Sequence, residues 1–382
     1  MKILHILTTI DPRSGGPIES VRQSGVEMVS NGHQVEVVCF DAPDADFLSE
    51  FPLRTHALGP ANHKFAYTPR FVPWLESNAS KFDAVIINGL WQYHGFGAWK
   101  VLRKMRIPYY VYPHGMLDPW FKNNYPLKHI KKWIYWQCAE HRVLRDARAV
   151  LFTAEEERIL ARQSFSLYQA NERVVSFGTG EPPKNATELC DAFFKKYPKI
   201  QGKRIILFLG RIHAKKGCDL LVNAFARVAG GVPDAHVVIA GPDSSGWMTA
   251  LKQLADDLNI GDRITWPGML NGELKWGAFY ASDVFILPSH QENFGIAVAE
   301  ALGCRLPVLI TDKVNIWREV KSDGAGFVGA DTISGTEKML RDWFDLDRLA
   351  QEKMREQAIE TFRSRFTAHA MARDLVGVLK AA

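Results

Sequence analysis

The sequence predicts an α/β protein built from two doubly wound domains. At 382 residues the chain is too long for one ordinary hydrophobic core. Short apolar runs of strand length alternate with helix-like segments along both halves of the chain. The stretch between the halves, Glu181-Pro182-Pro183-Lys184-Asn185, has the composition of a linker. Together these three observations favour two sheets, each covered by its own helices.

The first domain is predicted over residues 1–183. Pro17 fits the first turn of a helix over 17–30, because proline lacks an amide that this position leaves unused. A longer helix is predicted over roughly 127–145. Apolar runs predict buried strands at 2–8, 35–40, 84–87, 109–111 and 149–153.

The second domain is predicted over residues 199–364. It repeats the alternation, with strand candidates at 204–208, 236–240, 263–265, 284–287 and 308–310. The final segment, 365–380, has the pattern of an amphipathic helix.

Composition excludes several classes of protein. With 47% apolar and 23% charged residues the chain is globular, and a net charge of +5 is too small to indicate nucleic-acid binding. Five scattered cysteines without a CxxC pair argue against a disulfide framework or a zinc site and fit a reducing compartment. The first apolar run is too short for a signal peptide, and no run approaches the ~18 residues of a membrane span. We therefore expect a cytoplasmic protein.

The most informative segment reads FILPSHQENFGIAVAEALGCRLPVLITD and predicts strand, loop, helix and strand in that order. The backbone amides of Phe294, Gly295 and Ile296 would lie at the helix N-terminus, where a phosphate binds readily. Glu292 precedes them and Glu300 follows about two turns later, roughly 12 Å away if the interval is helical. Two carboxylates beside a phosphate site suit a nucleotide-sugar, although Glu300 alone would also fit a solvated helix residue.

Two cations follow another strand of the same domain. The run IILFLG leads directly into RIHAKKG, which places Arg211 and Lys216 just beyond the carboxyl end of the strand. Cations at this position can neutralise a leaving diphosphate. The alternative is a basic surface loop.

These features resemble the Glu-x7-Glu signature and the Gly-Arg…Lys-Gly motif of the retaining glycosyltransferases of family 4, and the resemblance covers most of the chain. It implies a GT-B fold, with two Rossmann-like domains facing a central cleft and a C-terminal crossover helix (365–382) returning to the first domain. It also implies that Lys216, immediately before Gly217, binds phosphate rather than Lys215. Glu292 would hold the donor sugar and Glu300 the ribose.

The resemblance extends to further site residues. His114, after a strand, would face the donor sugar, and with Arg211, Lys216 and Glu292 it forms the expected catalytic set. A structural histidine is the alternative for His114. The expected donor-binding residues are Gly15, Gly16, Gly210, Arg211, Lys216, Gly241, Met269, Leu270, Glu292, Asn293, Phe294, Gly295, Ile296 and Glu300.

Acceptor-side candidates come from two loops of the first domain: Asn88, Trp91, His94 and Asp118. Trp91 could stack on a sugar or belong to the core, and Asp118 could bind acceptor or cap the following segment. One segment departs from the family pattern: many relatives carry Gly-Gly-x-Pro-Glu after the strand at 308–310, where this chain has residues 312–319.

The function that the resemblance implies is retaining transfer of a hexose from a nucleoside-diphosphate sugar, UDP-glucose by default, to a glycan or lipid-linked glycan acceptor in polysaccharide biosynthesis. No cofactor is expected, and no metal, because no DxD motif stands at a suitable strand end. A nucleotide-sugar epimerase or hydrolase is the alternative enzyme. A catalytically dead nucleotide-sugar or glycan binder is the alternative of another class, and nucleic acid is not an expected partner.

A basic and aromatic stretch in the first domain permits two interpretations. Lys128, Lys131 and Lys132 precede Trp133, Ile134, Tyr135 and Trp136. Such a mixture suits peripheral attachment to an anionic surface, here the inner face of the plasma membrane. It equally suits a solvated helix with a buried aromatic face.

Overall fold

A computed structural model describes residues 1–62, 64–124, 126–243 and 246–381. The chain divides into two compact units, Met1–Thr179 with Ala368–Ala382, and Gly180–Thr367. Each unit has a parallel sheet flanked by helices, so the predicted α/β class with two Rossmann-like sheets is confirmed. The first boundary lies slightly before the predicted residue 183, and the returning segment starts slightly after the predicted residue 365.

The described part of the first unit holds a seven-stranded sheet in the order β3-β2-β1-β4-β5-β6-β7, with every pair parallel. Strands β1 and β4 are its centre and are buried on both faces, which explains their nearly continuous apolar sequences. The strands are β1 (Lys2–Ile6), β2 (Gln34–Cys39), β3 (Arg54–Ala57), β4 (Ala84–Asn88), β5 (Tyr109–Tyr112), β6 (Ala149–Phe152) and β7 (Glu172–Val174).

Helices cover both faces of this sheet. They are α1 (Gly16–Ser30), α2 (Phe71–Asn78), α3 (Tyr93–Met105), α4 (Trp120–Asn124), α5 (Pro126–Tyr135), α6 (His141–Arg145) and α7 (Glu155–Ala161). Because side chains alternate along a strand, Leu4 of β1 joins the core cluster beneath α2 and α3, whereas Ile3 joins the opposite cluster. Leu375, from the C-terminal segment, belongs to that second cluster, so this segment completes the first unit.

The second unit has a six-stranded sheet in its described part, in the order β10-β9-β8-β11-β12-β13, again all parallel. Its strands are β8 (Arg204–Leu209), β9 (Ala235–Ala240), β10 (Ile264–Gly268), β11 (Val284–Leu287), β12 (Val308–Thr311) and β13 (Gly326–Gly329). Its helices are α8 (Ala186–Lys196), α9 (Cys218–Val228), α10 (Trp247–Asp257), α11 (Gly272–Tyr280), α12 (Ile296–Gly303), α13 (Trp317–Asp323), α14 (Ile333–Phe344) and α15 (Arg348–Thr361). The last helix of the chain, α16 (Ala368–Lys380), belongs to the first unit.

The helix predicted over 127–145 is interrupted. A π-helical turn, Trp136–Glu140, separates α5 from α6. This turn buries Trp136 and Glu140, whereas α5 has no buried residue. π-Turns inside helices are uncommon and often accompany functional sites. Among the described helices, none combines the length and apolarity needed to cross a membrane.

Candidate functional site

Glycines bring the carboxyl ends of β8, β9 and β10 into direct backbone contact. The Gly241 amide donates to the Gly268 carbonyl over 2.8 Å, and the Gly210 amide donates to Ala240 over 3.0 Å. Gly241 has φ +150°, and a Cβ on it would lie 1.7 Å from the Gly210 carbonyl oxygen. A larger residue at 241 would therefore separate the strand ends on which the candidate donor site stands.

The loop after β8 is held against the end of β11. Gly217 has φ +67°, and a Cβ there would lie 2.0 Å from the Pro288 carbonyl oxygen. The His290 amide donates to the Lys215 carbonyl over 2.9 Å. Arg211, at the start of the loop, is exposed and makes no ion pair with any described residue. The fold thus leaves one cation accessible and fixes the backbone around Lys216.

Lys216 and Glu292 form a largely buried ion pair. Burial by itself would raise the pKa of Glu292, but the Lys216 ammonium more than offsets it, and the pKa lies below its ordinary value. The Glu292 amide donates to the Lys313 carbonyl over 2.9 Å, and the Glu292 carbonyl accepts from the Asn315 amide over 3.0 Å. The carboxylate is therefore ionised and held in place by its own backbone.

Helix α12 begins directly after this loop. Gly295 has φ +81°, and a Cβ on it would lie 3.3 Å from Cγ of Glu292, so the turn requires glycine. Glu300, five residues further, is buried, and its Oε1 accepts a hydrogen bond from Lys275 Nζ of α11 over 2.6 Å. Each predicted glutamate thus has its own lysine partner, Lys216 for Glu292 and Lys275 for Glu300. Lys275 gives no motif signal in the sequence.

The other predicted donor residues differ in accessibility. Phe294 is buried against Phe366, with ring centroids 5.5 Å apart, so its backbone rather than its ring is available to a ligand. Ile296 and Asn293 are half-buried. Met269 is exposed after Gly268, whereas Leu270 is buried. Of that pair, only Met269 has an exposed side chain.

The segment that departs from the family pattern supports the Glu292 loop. It supplies the Lys313 carbonyl and the Asn315 amide described above, and Asn315 Nδ2 faces Asn293 Oδ1 at 3.3 Å. A single isolated bridge, Glu292 with Val314, joins the two stretches in parallel. Sequence reasoning assigned Asn315 no role, because its function depends on a loop more than twenty positions earlier in the chain.

In the first unit, the expected donor residues Gly15 and Gly16 lie at the start of α1. Gly15 has φ +96° and Gly16 is the first helical residue. Nothing lies within 4 Å of a Cβ built on Gly15, so conformation rather than crowding explains glycine there. The open space around Gly15 leaves its backbone accessible to a ligand.

His114 lies in the loop after β5 with φ +50°, an uncommon value for a residue with a side chain. Its Nε2 lies 3.1 Å from Asn88 Oδ1, and its ring stacks on Tyr112 with centroids 5.3 Å apart. Burial lowers the pKa of His114 to about 3, so the imidazole is neutral at physiological pH. In the same loop, Asp118 Oδ1 accepts from the Trp120 amide over 2.8 Å, the capping arrangement that was one of its two interpretations.

The remaining acceptor-side candidates lie inside the unit. Asn88 and His94 are buried, and His94 Nε2 lies 2.9 Å from the Asn88 carbonyl oxygen. Trp91, with φ +72°, packs on Phe165 and Trp136 at ring distances of 5.2 and 6.2 Å. These contacts agree with the core interpretation of Trp91, and Asn88 and His94 are only 6% and 0% exposed.

Glu140 is a buried ionisable group that sequence reasoning missed. It is 0% exposed, and neither carboxyl oxygen has a hydrogen-bond partner among the described residues. Burial raises the pKa of Glu140 to about 8, against weaker opposing effects of the nearby Trp91 amide and the Lys132 ammonium. The carboxyl is therefore protonated at neutral pH. In the sequence Glu140 lies within a continuous helical pattern. Its buried position becomes apparent only from the π-helical turn in the structure.

The described residues contain no group of three or more histidine, cysteine or acidic side chains that could hold a metal ion. In the second unit, the cations at or beside the predicted donor residues are Arg211, Lys216 and Lys275.

Family models match both units. The model for glycosyl transferases group 1 matches residues 190–363, and that for a glycosyl transferase 4-like domain matches residues 15–178. A D-inositol 3-phosphate glycosyltransferase of Mycolicibacterium gilvum is 39% identical over 109 residues, which are 28% of this chain and 24% of that protein. This chain therefore matches only about a quarter of that relative's length. A glycosyltransferase of Methanocaldococcus jannaschii whose function is uncharacterised is 23% identical over 376 residues, with 90% of each chain covered.

Solved structures show the same fold. Anabaena HepE in complex with UDP superposes with a TM-score of 0.80 at 16% identity, covering 100% of both chains. Sucrose-phosphate synthase from Thermosynechococcus elongatus gives a TM-score of 0.78 at 18% identity, covering 100% of this chain and 99% of the other. With the two domain models in consecutive order, these likenesses identify the chain as a member of the family 4 glycosyltransferases of the GT-B fold.

Proposed function

We propose that the protein is a retaining glycosyltransferase that moves a hexose from a nucleoside-diphosphate sugar, UDP-glucose first among them, to a hydroxyl of a glycan or lipid-linked glycan. The observation that carries this proposal is the Lys216–Glu292 ion pair at the strand edge beside the exposed Arg211. A bound diphosphate would compete with Glu292 for Lys216. Once Lys216 leaves the ion pair, the Glu292 carboxylate would be free to accept hydrogen bonds from sugar hydroxyls.

The roles follow from charge and position. Arg211 and Lys216 neutralise the negative charge that develops on the leaving diphosphate, in the way that preorganised cations stabilise a transition state. Glu292 orients the sugar, and Glu300, held by Lys275, accepts from the ribose hydroxyls. In the front-face mechanism that the family resemblance implies, a leaving phosphate oxygen takes the acceptor proton. The protein cations supply the charge compensation, so we propose that transfer needs no divalent metal.

The first experiment is a thermal-shift screen against nucleotide-sugars, with and without EDTA. A donor at about 100 times its Kd should stabilise the protein by about 2.7 kcal/mol. We then expect Arg211→Ala to lower kcat by roughly 10²–10³-fold while the protein stays folded. Lys215→Ala, at the lysine immediately before Lys216 and of equal charge change, is the matched control. An Arg211→Ala enzyme as fast as the control would refute the clamp.

Product analysis tests the remaining details of the reaction. NMR of the first-formed glycoside reports whether the anomeric configuration of the donor is kept. An inverted product would exclude retention. Sugar release or epimerisation at full rate without an acceptor would instead favour the hydrolase or epimerase alternative.

The surface of α5 supports a second element of the proposal, peripheral attachment to the inner face of the plasma membrane. Leu127, Ile130, Trp133 and Ile134 are 79, 55, 46 and 55% exposed, and no residue of α5 is buried. The apolar side chains of this helix thus face solvent, whereas Trp136, just after it, is buried. Lysines beside it suit anionic lipid headgroups.

Sedimentation with vesicles tests this attachment. We expect the full chain to bind vesicles containing phosphatidylserine at low salt and to lose binding in Lys128→Glu/Lys131→Glu. Lys252→Glu, an exposed lysine of the second unit, is the control for net charge. Equal binding of all variants, or none by the wild type, would exclude the α5 surface as a membrane anchor.

A further inference from the structure

Three polar side chains stand in a row beneath the loop that carries His114. Asn88, the last residue of β4, lies between His5 of β1 and His114 beyond β5. His114 Nε2 lies 3.1 Å from Asn88 Oδ1, and His5 Nδ1 lies 3.3 Å from Asn88 Nδ2. His5 and Asn88 are buried, whereas His114 is partly exposed. Only the outermost member of the row can reach a ligand.

The orientation of the Asn88 amide is determined by its neighbours. Its Nδ2 lies 3.4 Å from the Ile6 carbonyl oxygen and 3.3 Å from the Ile86 carbonyl oxygen. Two carbonyls can only accept, so the donating –NH₂ must face them and the amide oxygen must face His114. The reverse orientation would set three acceptors against one another inside the sheet.

This orientation dictates the protonation of the neighbouring imidazoles. Because Asn88 Oδ1 is an acceptor, His114 Nε2 must carry the hydrogen, and Nδ1 of His114 keeps a lone pair. An N–H on His5 Nδ1 would point at the Asn88 –NH₂, which has no acceptor, so Nδ1 of His5 is the unprotonated nitrogen. A neutral His114 therefore presents an acceptor, and not a donor, at the nitrogen that Asn88 does not occupy.

We propose that Asn88, backed by His5, is a positioning residue that locks His114 as the Nε2–H tautomer, so that its Nδ1 accepts a hydrogen bond from a hydroxyl of the donor sugar. The role toward sugar rests on the proposed glycosyl transfer. Asn88 was a candidate acceptor ligand on sequence grounds, and its burial gives it this indirect role instead.

Backbone hydrogen bonds hold the loop that carries the His114 imidazole. The Gly115 amide donates to Glu157 Oε1 over 2.6 Å, and Glu157 Oε2 accepts from the Thr153 amide over 2.7 Å. Two residues of the loop after β5, His114 and Gly115, have positive φ, at +50° and +74°. With the Tyr112 ring stacked on the imidazole, rotation of His114 would break contacts on two sides.

The tautomer can be observed directly by nitrogen NMR of the full-length protein labelled with ¹⁵N-histidine. The signals of His114 are assigned by their loss in His114→Gln. We expect a protonated Nε2 and an unprotonated Nδ1 at neutral pH. An Nδ1–H tautomer, an even mixture or an imidazolium would overturn the inference. This readout needs no turnover, so it stands apart from the proposed function.

Two variants test the positioning role. Asn88→Leu, similar in size, should randomise the tautomer and weaken UDP-sugar binding roughly tenfold, while UDP binding stays unchanged because UDP lacks the sugar. Asn88→Asp keeps the acceptor and should retain Nε2–H, which would rescue part of the loss. Asn78→Leu in α2 is the control. Wild-type UDP-sugar affinity in a folded Asn88→Leu protein, or equal losses for UDP and UDP-sugar, would overturn the role.

Discussion

Replacing Glu140 by glutamine should change how the stability of the protein depends on pH. Glu140 ends the π-turn between α5 and α6, has no exposed surface, and has no hydrogen-bond partner for either oxygen among the described residues. Water, which solvates the carboxylate in the unfolded chain, is excluded from it in the folded state. The ionised form is therefore disfavoured in the folded state.

The magnitude follows from the pKa difference. The pKa of Glu140 rises from an ordinary 4.5 to about 8 on folding. Between these values the folded protein holds a proton that the unfolded chain has released, so stability falls as pH rises, by up to about 1.4 kcal/mol per pH unit. The full contribution is present below about pH 4.5 and is lost as pH passes about 8, with an upper limit of about 5 kcal/mol.

Urea unfolding at several values between about pH 5 and 8 measures this slope. We expect Glu140→Gln, which cannot ionise, to flatten the decline of the unfolding free energy and to exceed the wild type in stability near the upper end. Glu50→Gln, at an exposed glutamate of the same unit, is the control. Parallel profiles for wild type and Glu140→Gln would show that the carboxyl does not retain its proton on folding, and the reasoning would fail.

Three further outcomes are expected. Lys216→Met should lower the unfolding free energy by about 1–3 kcal/mol, because it leaves the Glu292 carboxylate partly buried without its ion pair; urea unfolding of the ligand-free protein measures this. Gly217→Ala should weaken UDP binding, by calorimetry, since its Cβ would lie 2.0 Å from the Pro288 carbonyl oxygen and must displace the Lys216 loop; unchanged affinity would contradict that close approach. Trp343→Ala, at a core residue of α14, should cost about 3–5 kcal/mol without altering UDP affinity per folded molecule.

Central strands and the donor motifs could be predicted from the sequence because both are local signals. Strands such as β1, β4 and β11 are buried on both faces and read as unbroken apolar runs. The edge strands β3 and β7 were not predicted, since they are short and carry exposed polar residues. Likewise, Lys216 and Glu292 belong to recognisable motifs, and folding brings them into contact across 76 positions of the chain.

The fold class, the family and the residue types at the sheet edge of the second unit could all be predicted from local sequence patterns. Which of the polar candidates are buried is apparent only in the folded chain. Asn88 looks like a ligand after its strand, yet it is buried between two histidines. Glu140 and the residues of α5 share one helical pattern, yet the first is buried and the apolar side chains of the second are exposed. The physical reason is that burial depends on which distant segments pack over a residue. The periodicity of one segment shows only which of its residues share a face.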